Sequence, residues 1–313
     1  MNRLFRADAA HTLGAVPEGA ADLVYLDPPF AVDKAFTARP EAAPSERDGR
    51  GRAPPRERAR GPLAYDDRWP SLEAYLAWLV PRVVLGYRAL SPRGTLWLHL
   101  DHHATHAAHA AVLGALGARA FAGEIIWVPG NGAKARAGLP RAHQTLLVWK
   151  KGDAYVWNAK ARELREPYAT TSLSMHFTRK DDAGRAYRDR TVGAKTYRYY
   201  ADEGRAVGSV WTDCPAMVAN TPLRAEGTGY PTQKPEKLLA RIVCGASAPG
   251  GLVVDPFVGS GTTLAVAAKH GRRFVGGDVG ELALRTTRAR LAELDVHYTY
   301  SRPDAAAQND EPG

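Results

Sequence analysis

A glycine-rich turn between an apolar strand and a helix constrains the fold of this 313-residue chain more strongly than any other feature. The run Val253-Val254-Asp255 ends the predicted strand, and Gly259-Ser260-Gly261 leads into a helix predicted from Gly261 to His270. Glycines at this place let a ligand approach the backbone, and the helix N-terminus offers free N–H groups. Asp278 ends the next predicted strand, about 20 residues further on, where a carboxylate can bind ribose hydroxyls. The pattern predicts a Rossmann-like α/β fold with a mostly parallel, doubly wound sheet and a site for an adenosine-containing cofactor.

The second strong constraint is the tetrapeptide Asp27-Pro28-Pro29-Phe30. It follows Leu23-Val24-Tyr25-Leu26, a short apolar run that predicts a buried parallel strand. The two prolines restrict the backbone and remove N–H donors, so the carbonyls here have no competing local partner. A carboxylate beside a rigid carbonyl can accept both hydrogens of an amino group, and Phe30 offers a ring face to a planar base. Because a cofactor turn lies in the same chain, we interpret the tetrapeptide as a centre of amino-group chemistry rather than as a proline-rich strand exit.

Hydrophobic periodicity predicts further elements between these two motifs. Ser71 is a candidate N-cap for a helix with apolar residues from Leu72 to Val84, which Pro81 is expected to kink or divide. The other predicted elements are strands at 95–100, 124–128, 145–149 and 274–278, and helices at 103–116, 236–243 and 282–294.

Two basic segments have poor periodicity. From 39 to 62 the chain has almost no large apolar residue, so we expect a mobile basic loop that is either solvated or in contact with DNA phosphate. From 153 to 224 aromatic and cationic residues are interleaved, which suits a DNA-facing segment and equally an irregular β-rich subdomain with its own aromatic core. The net charge of +9 favours a polyanionic partner. We therefore divide the chain into a catalytic half at 1–152, a recognition region at 153–224, a cofactor-binding half at 225–301 and a flexible tail at 302–313.

Cysteine and histidine usage argues against disulfide and metal chemistry. Cys214 and Cys244 lie in unrelated contexts and form neither a disulfide framework nor a zinc site on their own, which fits a reducing cytoplasm. Five histidines between His99 and His109 include helical spacings, and a solvated helix N-terminus explains them without a metal. No uncharged apolar stretch reaches the roughly 18 residues that indicate a membrane span, and the N-terminal residues do not resemble a secretory signal.

Three separated motifs together resemble the S-adenosylmethionine-dependent DNA methyltransferases that act on N6 of adenine or N4 of cytosine. Asp27–Phe30 resembles their catalytic motif, Asp255–Thr263 their cofactor motif, and Tyr230–Pro235 the segment that precedes it. The catalytic motif comes first and the cofactor motif last, which is the circularly permuted order called the β group. The resemblance covers most of the chain, is poorest from 39 to 62, and implies an inserted target-recognition region at 153–224.

The resemblance implies that one group of residues binds S-adenosylmethionine. Asp255 and the backbone of Phe257–Gly261 would hold the methionine moiety. Asp278 would bind the ribose, and Asp8 would contact the adenine. The implied cofactor residues are Asp8, Thr232, Lys234, Asp255, Phe257, Gly259, Ser260, Gly261, Thr262 and Asp278. The family implies no metal, because methyl transfer from a sulfonium needs no Lewis acid.

The resemblance also implies that Asp27, Pro28, Pro29 and Phe30 are catalytic. Asp27 and the Pro28 carbonyl would hold the target amine, while Phe30 stacks on a base flipped out of the duplex. Residues expected near the base or the DNA are Trp127, Lys134, Arg136, His143, Arg190, Lys195 and Arg198. Phe30 departs from the commoner final Tyr, and the Asp-first form occurs with both bases. The sequence therefore leaves adenine and cytosine open.

The expected partner is double-stranded DNA. RNA or a protein glutamine amide is the alternative substrate, although Asp rather than Asn at position 27 and the long basic middle segment oppose it. A DNA-binding protein with a vestigial fold is the non-enzymatic alternative, which the intact pair of motifs opposes. A homodimer and a cognate restriction endonuclease are further partners that the resemblance leaves open.

Overall fold

The computed structural model describes residues 1–38, 61–130, 138–217 and 225–302. The predicted loop at 39–62 and the predicted tail at 302–313 therefore fall almost wholly outside the described residues. The strands, in chain order, are β1 (Arg3–Arg6), β2 (Ala21–Leu26), β3 (Lys34–Thr37), β4 (Leu63–Asp67), β5 (Leu90–Leu100), β6 (Phe121–Trp127), β7 (Gln144–Lys150), β8 (Arg165–Glu166), β9 (Arg179–Lys180), β10 (Ala186–Val192), β11 (Lys195–Tyr200), β12 (Arg205–Ala206), β13 (Val210–Trp211), β14 (Leu252–Asp255), β15 (Arg273–Asp278) and β16 (Thr299–Ser301). The α-helices are α1 (Ala9–Gly14), α2 (Leu72–Ala89), α3 (Thr105–Leu116), α4 (Thr170–His176), α5 (Glu236–Ala246), α6 (Thr262–Lys269) and α7 (Glu281–Glu293). None of the helices in these ranges combines the length and the apolar character that a membrane crossing requires.

Nine of the strands in these described ranges form one large sheet in the order β13-β6-β7-β5-β2-β14-β15-β1-β16. Neighbouring strands are parallel except where β7 pairs with β5 and β6, which it meets antiparallel. Strand β2 is apolar from Leu23 to Leu26 because both of its faces are covered there. Val24 and Leu26 pack in one apolar cluster, whereas Leu23 and Tyr25 pack in the cluster on the opposite face. The sheet confirms the predicted Rossmann-like α/β fold with a mostly parallel, doubly wound sheet.

Strands β2 and β14 are neighbours, and the chain leaves them in opposite directions across the sheet. From β14 it passes through α6 to β15, and from β2 it passes through α2 to β5. Open α/β sheets bind ligands at the carboxyl ends of strands that flank such a switch point. Asp27 directly follows β2 and Asp255 ends β14, so the two motifs recognised in the sequence meet at this point.

Helix α2 runs from Leu72 to Ala89 as one helix although Pro81 lies inside it, so the expected division does not occur. Ser71 caps the N-terminus as predicted, and its side chain accepts a backbone N–H at 3.2 Å. The inward face of the helix, which includes Tyr75, is fully buried in the core. Tertiary packing supplies most helix stability in proteins, and here it outweighs the backbone hydrogen bond that a proline removes.

The described part of the predicted recognition region contains small sheets of its own and one strand of the main sheet. Strands β9, β10 and β11 form an antiparallel sheet, and β8 pairs with β12. The rings of Tyr168 and Phe177 lie 4.6 Å apart between centroids, and the guanidinium of Arg188 lies over both. The region therefore has the aromatic core that one of the two interpretations expected. Strand β13 pairs with β6, so the end of this region contributes to the main sheet.

Candidate active site

The carboxylate of Asp27 forms an ion pair with Lys234. The Lys234 ammonium donates to Oδ2 at 2.6 Å and to Oδ1 at 2.8 Å, and it lies 5.1 Å from the ring centroid of Phe30. Burial raises the pKa of Asp27, and the nearby ammonium opposes that rise. Lys234 belongs to the segment Tyr230–Pro235, which the sequence placed beside the cofactor. This segment therefore also reaches the tetrapeptide Asp27–Phe30.

Asp67 holds the turn that follows the tetrapeptide. Its carboxylate accepts the backbone N–H groups of Phe30 at 2.9 Å, Ala31 at 2.8 Å and Val32 at 3.3 Å. The indole N–H of Trp69 donates to the same carboxylate at 3.1 Å. Ala31 has a φ of 58°, a left-handed conformation that side chains disfavour, so these bonds stabilise a turn that is otherwise strained. Asp67 thereby restrains the backbone that carries Phe30.

The two proline carbonyls of the tetrapeptide have different surroundings. The hydroxyl of Tyr75 donates to the Pro29 carbonyl at 2.7 Å. Burial raises the pKa of Tyr75, which keeps this hydroxyl protonated. The Pro28 carbonyl receives no hydrogen bond from the residues that the structure describes, and Pro28 lines the cavity beside Asp27. The Pro28 carbonyl is therefore available to a ligand.

The glycine-rich turn lines a second part of the same cavity, whose volume is about 610 Å³. Gly259 and Gly261 have φ values of 48° and 75°, which favour glycine. A Cβ on Gly261 would come within 2.9 Å of the Thr287 Cα, so this position also needs glycine for close packing. The N–H of Gly259 donates to the carboxylate of Asp278 at 3.0 Å, which joins the turn to the end of β15. The volume is typical of a site for a small molecule.

Asp27, Asp255 and Asp278 are among the aspartates that line this cavity, and burial raises the pKa of each of these three. The pKa of Asp255 is raised to about 7, and the charges of Asp27 and Asp278 add to the effect of burial there. The pKa of Asp278 is raised to about 6, mainly by burial, although backbone N–H groups oppose the rise. A positively charged ligand would favour the ionised form of all three groups. The electrostatics of the cavity therefore suit a cation.

Most of the predicted site residues line this one cavity: Asp27, Pro28, Pro29, Phe30, Trp127, Thr232, Lys234, Asp255, Phe257, Gly259, Ser260, Thr262 and Asp278. Gly261 contributes through the conformation of the turn rather than through the lining. Trp127 is almost fully buried, and its indole N–H donates to the Cys214 carbonyl at 2.7 Å. Trp127 is therefore both a core residue and part of the cavity wall.

Asp8 lies outside the cavity lining. Its carboxylate accepts the N–H of His11 at 2.8 Å, which caps α1, and forms a 3.1 Å ion pair with Arg82. The adenine contact that the resemblance implies for Asp8 stays a prediction. Lys134 and Arg136 lie outside the described residues, so their expected contact with DNA also stays a prediction.

The hairpin of β10 and β11 carries three cations that were expected to contact DNA. Arg198 donates to Asp189 at 3.0 Å and lies 3.8 Å from the ring centroid of Tyr187, so its guanidinium takes part in the structure of the hairpin. Arg190 and Lys195 are exposed, and neither forms an ion pair with another described residue. These two side chains are the hairpin cations best placed to reach a phosphate.

Several cavity residues were missed from the sequence, among them Tyr65, Asp67, Trp78, Gln144 and Tyr230. Tyr65 and Asp67 lie on β4, which pairs with β3, and no sequence signal links those two short strands. Gln144 begins β7 and lines the cavity, whereas the adjacent His143, which was predicted for the base pocket, is exposed and absent from the lining. Neighbouring side chains on an extended chain point in opposite directions, so only one residue of this pair can point into the cavity.

The histidines of this group lie in several environments. His99 is fully buried on β5, so the predicted solvated helix N-terminus does not account for it. Just before α3, Asp101, His102 and His103 place possible ligand atoms within 4.8 Å of one another. The guanidinium of Arg141 lies 2.6 Å from Nε2 of His102, and a cation at that distance disfavours a metal ion. The expectation that the enzyme needs no metal stays a prediction.

The profile of a family of DNA methylases, the N6/N4 methyltransferases, matches residues 21–288, which span the tetrapeptide, the glycine-rich turn and Asp278. Because this match covers most of the chain, the protein belongs to that family of S-adenosylmethionine-dependent DNA amino-methyltransferases. The resemblance of the sequence motifs to this family is thereby confirmed. The chain order of the motifs is that of the β group, and assignment to that group stays a prediction.

Relatives of known class agree with the family match. The chain is 26% identical to the DNA adenine methyltransferase YhdJ of Escherichia coli K12, with 97% of this chain and 86% of the relative covered. It is 25% identical to the type II methyltransferase M.BglII of Bacillus subtilis, with 89% of this chain but only 66% of the relative covered.

Two solved structures share the fold. TTHA0409 of Thermus thermophilus, solved in complex with S-adenosyl-L-methionine, aligns with a TM-score of 0.54 and 20% identity over 97% of this chain and 99% of the other. The cytosine-N4-specific PvuII DNA methyltransferase aligns with a TM-score of 0.58 and 14% identity over 95% of this chain and 89% of the other.

Proposed function

We propose that the cavity holds S-adenosylmethionine beside a flipped base and that Asp27 directs methyl transfer to the exocyclic amine of that base. The observation that carries the proposal is that Asp27 lines the same cavity as Asp255, Phe257, Gly259 and Ser260 of the glycine-rich turn. The cavity residues fit the cofactor, because its sulfonium and ammonium groups are cationic and three buried carboxyl groups meet there. Asp278 ends β15, the place where a carboxylate binds ribose in folds of this type.

In the proposed mechanism, Asp27 and the Pro28 carbonyl accept the two hydrogens of the target amine. This arrangement orients the lone pair of the amine nitrogen and raises its electron density. When bound, S-adenosylmethionine supplies an electrophilic methyl group to this nitrogen. Asp27 takes up the proton that the amine loses. Most of the rate enhancement should come from positioning and from acceptors that are already oriented in the free enzyme.

The residues around the tetrapeptide keep these acceptors in place. Asp67 restrains the backbone at Phe30, whose ring stacks on the flipped base. Tyr75 holds the Pro29 carbonyl. Lys234 favours the ionised form of Asp27, and each carboxylate oxygen keeps a second lone pair for the amine.

Transfer of tritium from labelled S-adenosylmethionine tests the proposal and separates DNA from RNA and protein as substrates. We expect label in duplex DNA, and label confined to RNA or protein would favour the alternative substrates. Asp27→Ala should abolish transfer, while calorimetry shows nearly unchanged cofactor binding. Equal loss of transfer and binding would contradict the role of Asp27. Single-molecule sequencing of DNA from a host that expresses the chain then identifies the base and its sequence context.

The recognition sequence is proposed to be read by the region at 153–224, whose hairpin presents Arg190 and Lys195. The relative M.BglII is named a type II methyltransferase, which supports action beside a restriction endonuclease. We propose the cytoplasm as the place of this action. Protection of methylated plasmid DNA against endonucleases of the sequenced specificity tests that pairing. Sedimentation of the purified enzyme tests whether it forms the homodimer that the resemblance left open.

A further inference from the structure

A second polar pair reaches the cavity from the neighbouring strands β5 and β7. His99 of β5 is fully buried, and Gln144 of β7 lines the cavity. Nε2 of His99 and Oε1 of Gln144 are both buried, and neither has a hydrogen-bond partner among the described residues. Such orphaned atoms are uncommon in folded proteins and often mark a functional site.

The environment of the other ring nitrogen determines the tautomer of His99. Its Nδ1 lies 2.8 Å from the hydroxyl of Tyr25. We assign the donor role in this contact to the Tyr25 hydroxyl, which keeps its hydrogen because burial raises the pKa of Tyr25. Burial also lowers the pKa of His99, so the ring is neutral and its single hydrogen is on Nε2. The imidazole therefore presents an N–H donor away from Tyr25.

His99 pairs with Leu146 across β5 and β7, so Gln144, two residues before Leu146, is on the same face of the sheet as His99. The Nε2–H donor of His99 and the buried Oε1 acceptor of Gln144 are complementary, although the two groups do not form a hydrogen bond in this structure. When Oε1 accepts from His99, the amide nitrogen is the part of Gln144 that remains for the cavity. Trp127 packs edge-on to the imidazole at 5.5 Å between ring centroids and limits its movement.

The same imidazole places Gln144 close to the catalytic carboxylate. Nδ1 of His99 lies 3.9 Å from Oδ1 of Asp27, and Gln144 is on the same face of the sheet as His99. The imidazole of His99 therefore lies between the Asp27 carboxylate, which accepts from the target amine, and the amide group of Gln144, which can donate. When Asp27 holds the amine of a flipped base, the ring atom next to that amine would lie towards the amide group of Gln144.

We infer that Gln144, oriented by His99, recognises the target base by donating a hydrogen bond to the ring nitrogen beside the reacting amine. The inference rests on the proposed function, because it requires a base whose amine is held at Asp27. Adenine N1 and cytosine N3 are both unprotonated acceptors next to an amino group, whereas guanine and thymine carry an N–H at the equivalent place. One hydrogen-bond donor thus selects adenine and cytosine and disfavours guanine and thymine. Flipped bases are commonly recognised by hydrogen bonds to this edge.

The test removes the donor from the enzyme and the acceptor from the base. The enzymes are the wild type, Gln144→Leu and Gln144→Glu. The substrates are duplexes with the sequenced recognition site, carrying at the target either the natural base or its deaza analogue, 1-deazaadenine or 3-deazacytosine. On the natural base both variants should lose about tenfold in kcat/KM, the effect of one hydrogen bond. On the deaza analogue the wild type and both variants should be equal, because the acceptor is already absent.

A loss in the variants that is the same on the natural base and the deaza analogue would overturn the inference, as would wild-type rates in the variants. Absence of methyl transfer by the wild type would instead contradict the proposed function, so the two failures are distinguishable.

His99→Asn should reproduce the loss of Gln144→Leu, and the double variant should lose no more than either single variant. His109→Asn is the matched control, because His109 also has an unpartnered buried Nε2 but lies against Phe121 outside the cavity lining. Unchanged cofactor affinity by calorimetry confirms that each variant is folded.

Discussion

The ammonium of Lys234 lies 2.6 Å from Oδ2 of Asp27, although 207 residues separate them in the chain. The contact joins the segment that precedes the cofactor motif to the tetrapeptide Asp27–Phe30. Buried ion pairs lose much of their stabilising energy to desolvation, but an unpaired buried carboxylate is more costly still. The proposed catalytic role of Asp27 explains the pair better than stability does, because the ammonium favours the ionised form of Asp27 inside the cavity.

Lys234→Met should lower DNA methylation and shift its pH dependence. Without the ammonium, burial raises the pKa of Asp27 further, so the carboxylate forms only at higher pH. We expect kcat near neutral pH to fall about ten- to hundredfold, the effect of a hydrogen bond to a charged group, and the acid limb of the pH profile to move to higher pH. Lys151→Met is the control, because Lys151 donates to the Tyr87 carbonyl outside the cavity. A uniform loss at every pH would contradict this role for Lys234.

Asp67→Asn should destabilise the turn after the tetrapeptide. An amide has only one acceptor oxygen, and its NH₂ group would face N–H donors. We expect the free energy of unfolding to fall by about 2 kcal/mol and methyl transfer to fall with it, while cofactor affinity changes little. Chemical denaturation measures the first effect. Asp66→Asn is the matched control, since Asp66 pairs with Arg68 near the surface and should change stability by less than about 1 kcal/mol.

Gly261→Ala should impair both folding and cofactor binding. A methyl group there would approach the Thr287 backbone, and the φ of 75° is unfavourable for alanine. We expect stability to fall by about 2 kcal/mol and the dissociation constant for S-adenosylmethionine to rise. Gly114→Ala in α3 is the control, because a methyl group added there would meet nothing within 4 Å. That variant should be up to about 1 kcal/mol more stable, and an equal loss in both variants would argue against a special role for Gly261.

Cofactor binding should weaken as the pH falls from 8 to 5, because burial raises the pKa of Asp255 to about 7 and that of Asp278 to about 6. The cationic cofactor favours the ionised carboxylates, so binding below these values must release protons. In the protein without cofactor, the stability of the fold changes with pH in the opposite direction. Since both values exceed those of an unfolded chain, these groups cost stability progressively as the pH rises through about 4 to 7.

Calorimetry across this pH range measures the cofactor affinity, and thermal unfolding with and without S-adenosylmethionine measures its effect on stability. The increase in Tm caused by the cofactor should be larger at pH 8 than at pH 5. Asp278→Asn should remove the component of the affinity profile near pH 6. An affinity that does not change with pH would show that neither carboxyl group changes its ionisation on binding.

Arg190→Gln and Lys195→Gln should weaken DNA binding without affecting the hairpin. Each exposed cation that neutralises a phosphate releases counterions, so each variant should reduce the slope of log affinity against log salt by about 1. Filter binding at several salt concentrations measures this slope. Arg198→Gln should instead destabilise the hairpin, because Arg198 bonds to Asp189. A change of slope in the Arg198 variant alone would reverse this assignment.

Local chain properties made the fold and the two principal motifs predictable. Apolar runs such as Leu23 to Leu26 identified buried strands, and the glycines at 259 and 261 indicated a turn before a helix, which the structure confirms. Periodicity could not show whether Pro81 would interrupt α2, because the outcome depended on how tightly the helix packs against the sheet.

The sequence by itself determined the chemistry at the two ends of the site, since Asp27–Phe30 and Asp255–Gly261 each owe their character to residues adjacent in the chain. Only the tertiary structure decided which distant residues join them. Lys234 reaches Asp27, Asp67 binds the turn at Phe30, and Gln144 rather than His143 lines the cavity. The physical reason is that backbone preference and hydrophobic period act over a few neighbouring residues. Ion pairs and hydrogen bonds across a sheet depend instead on strand order and register, which form only when the whole domain packs.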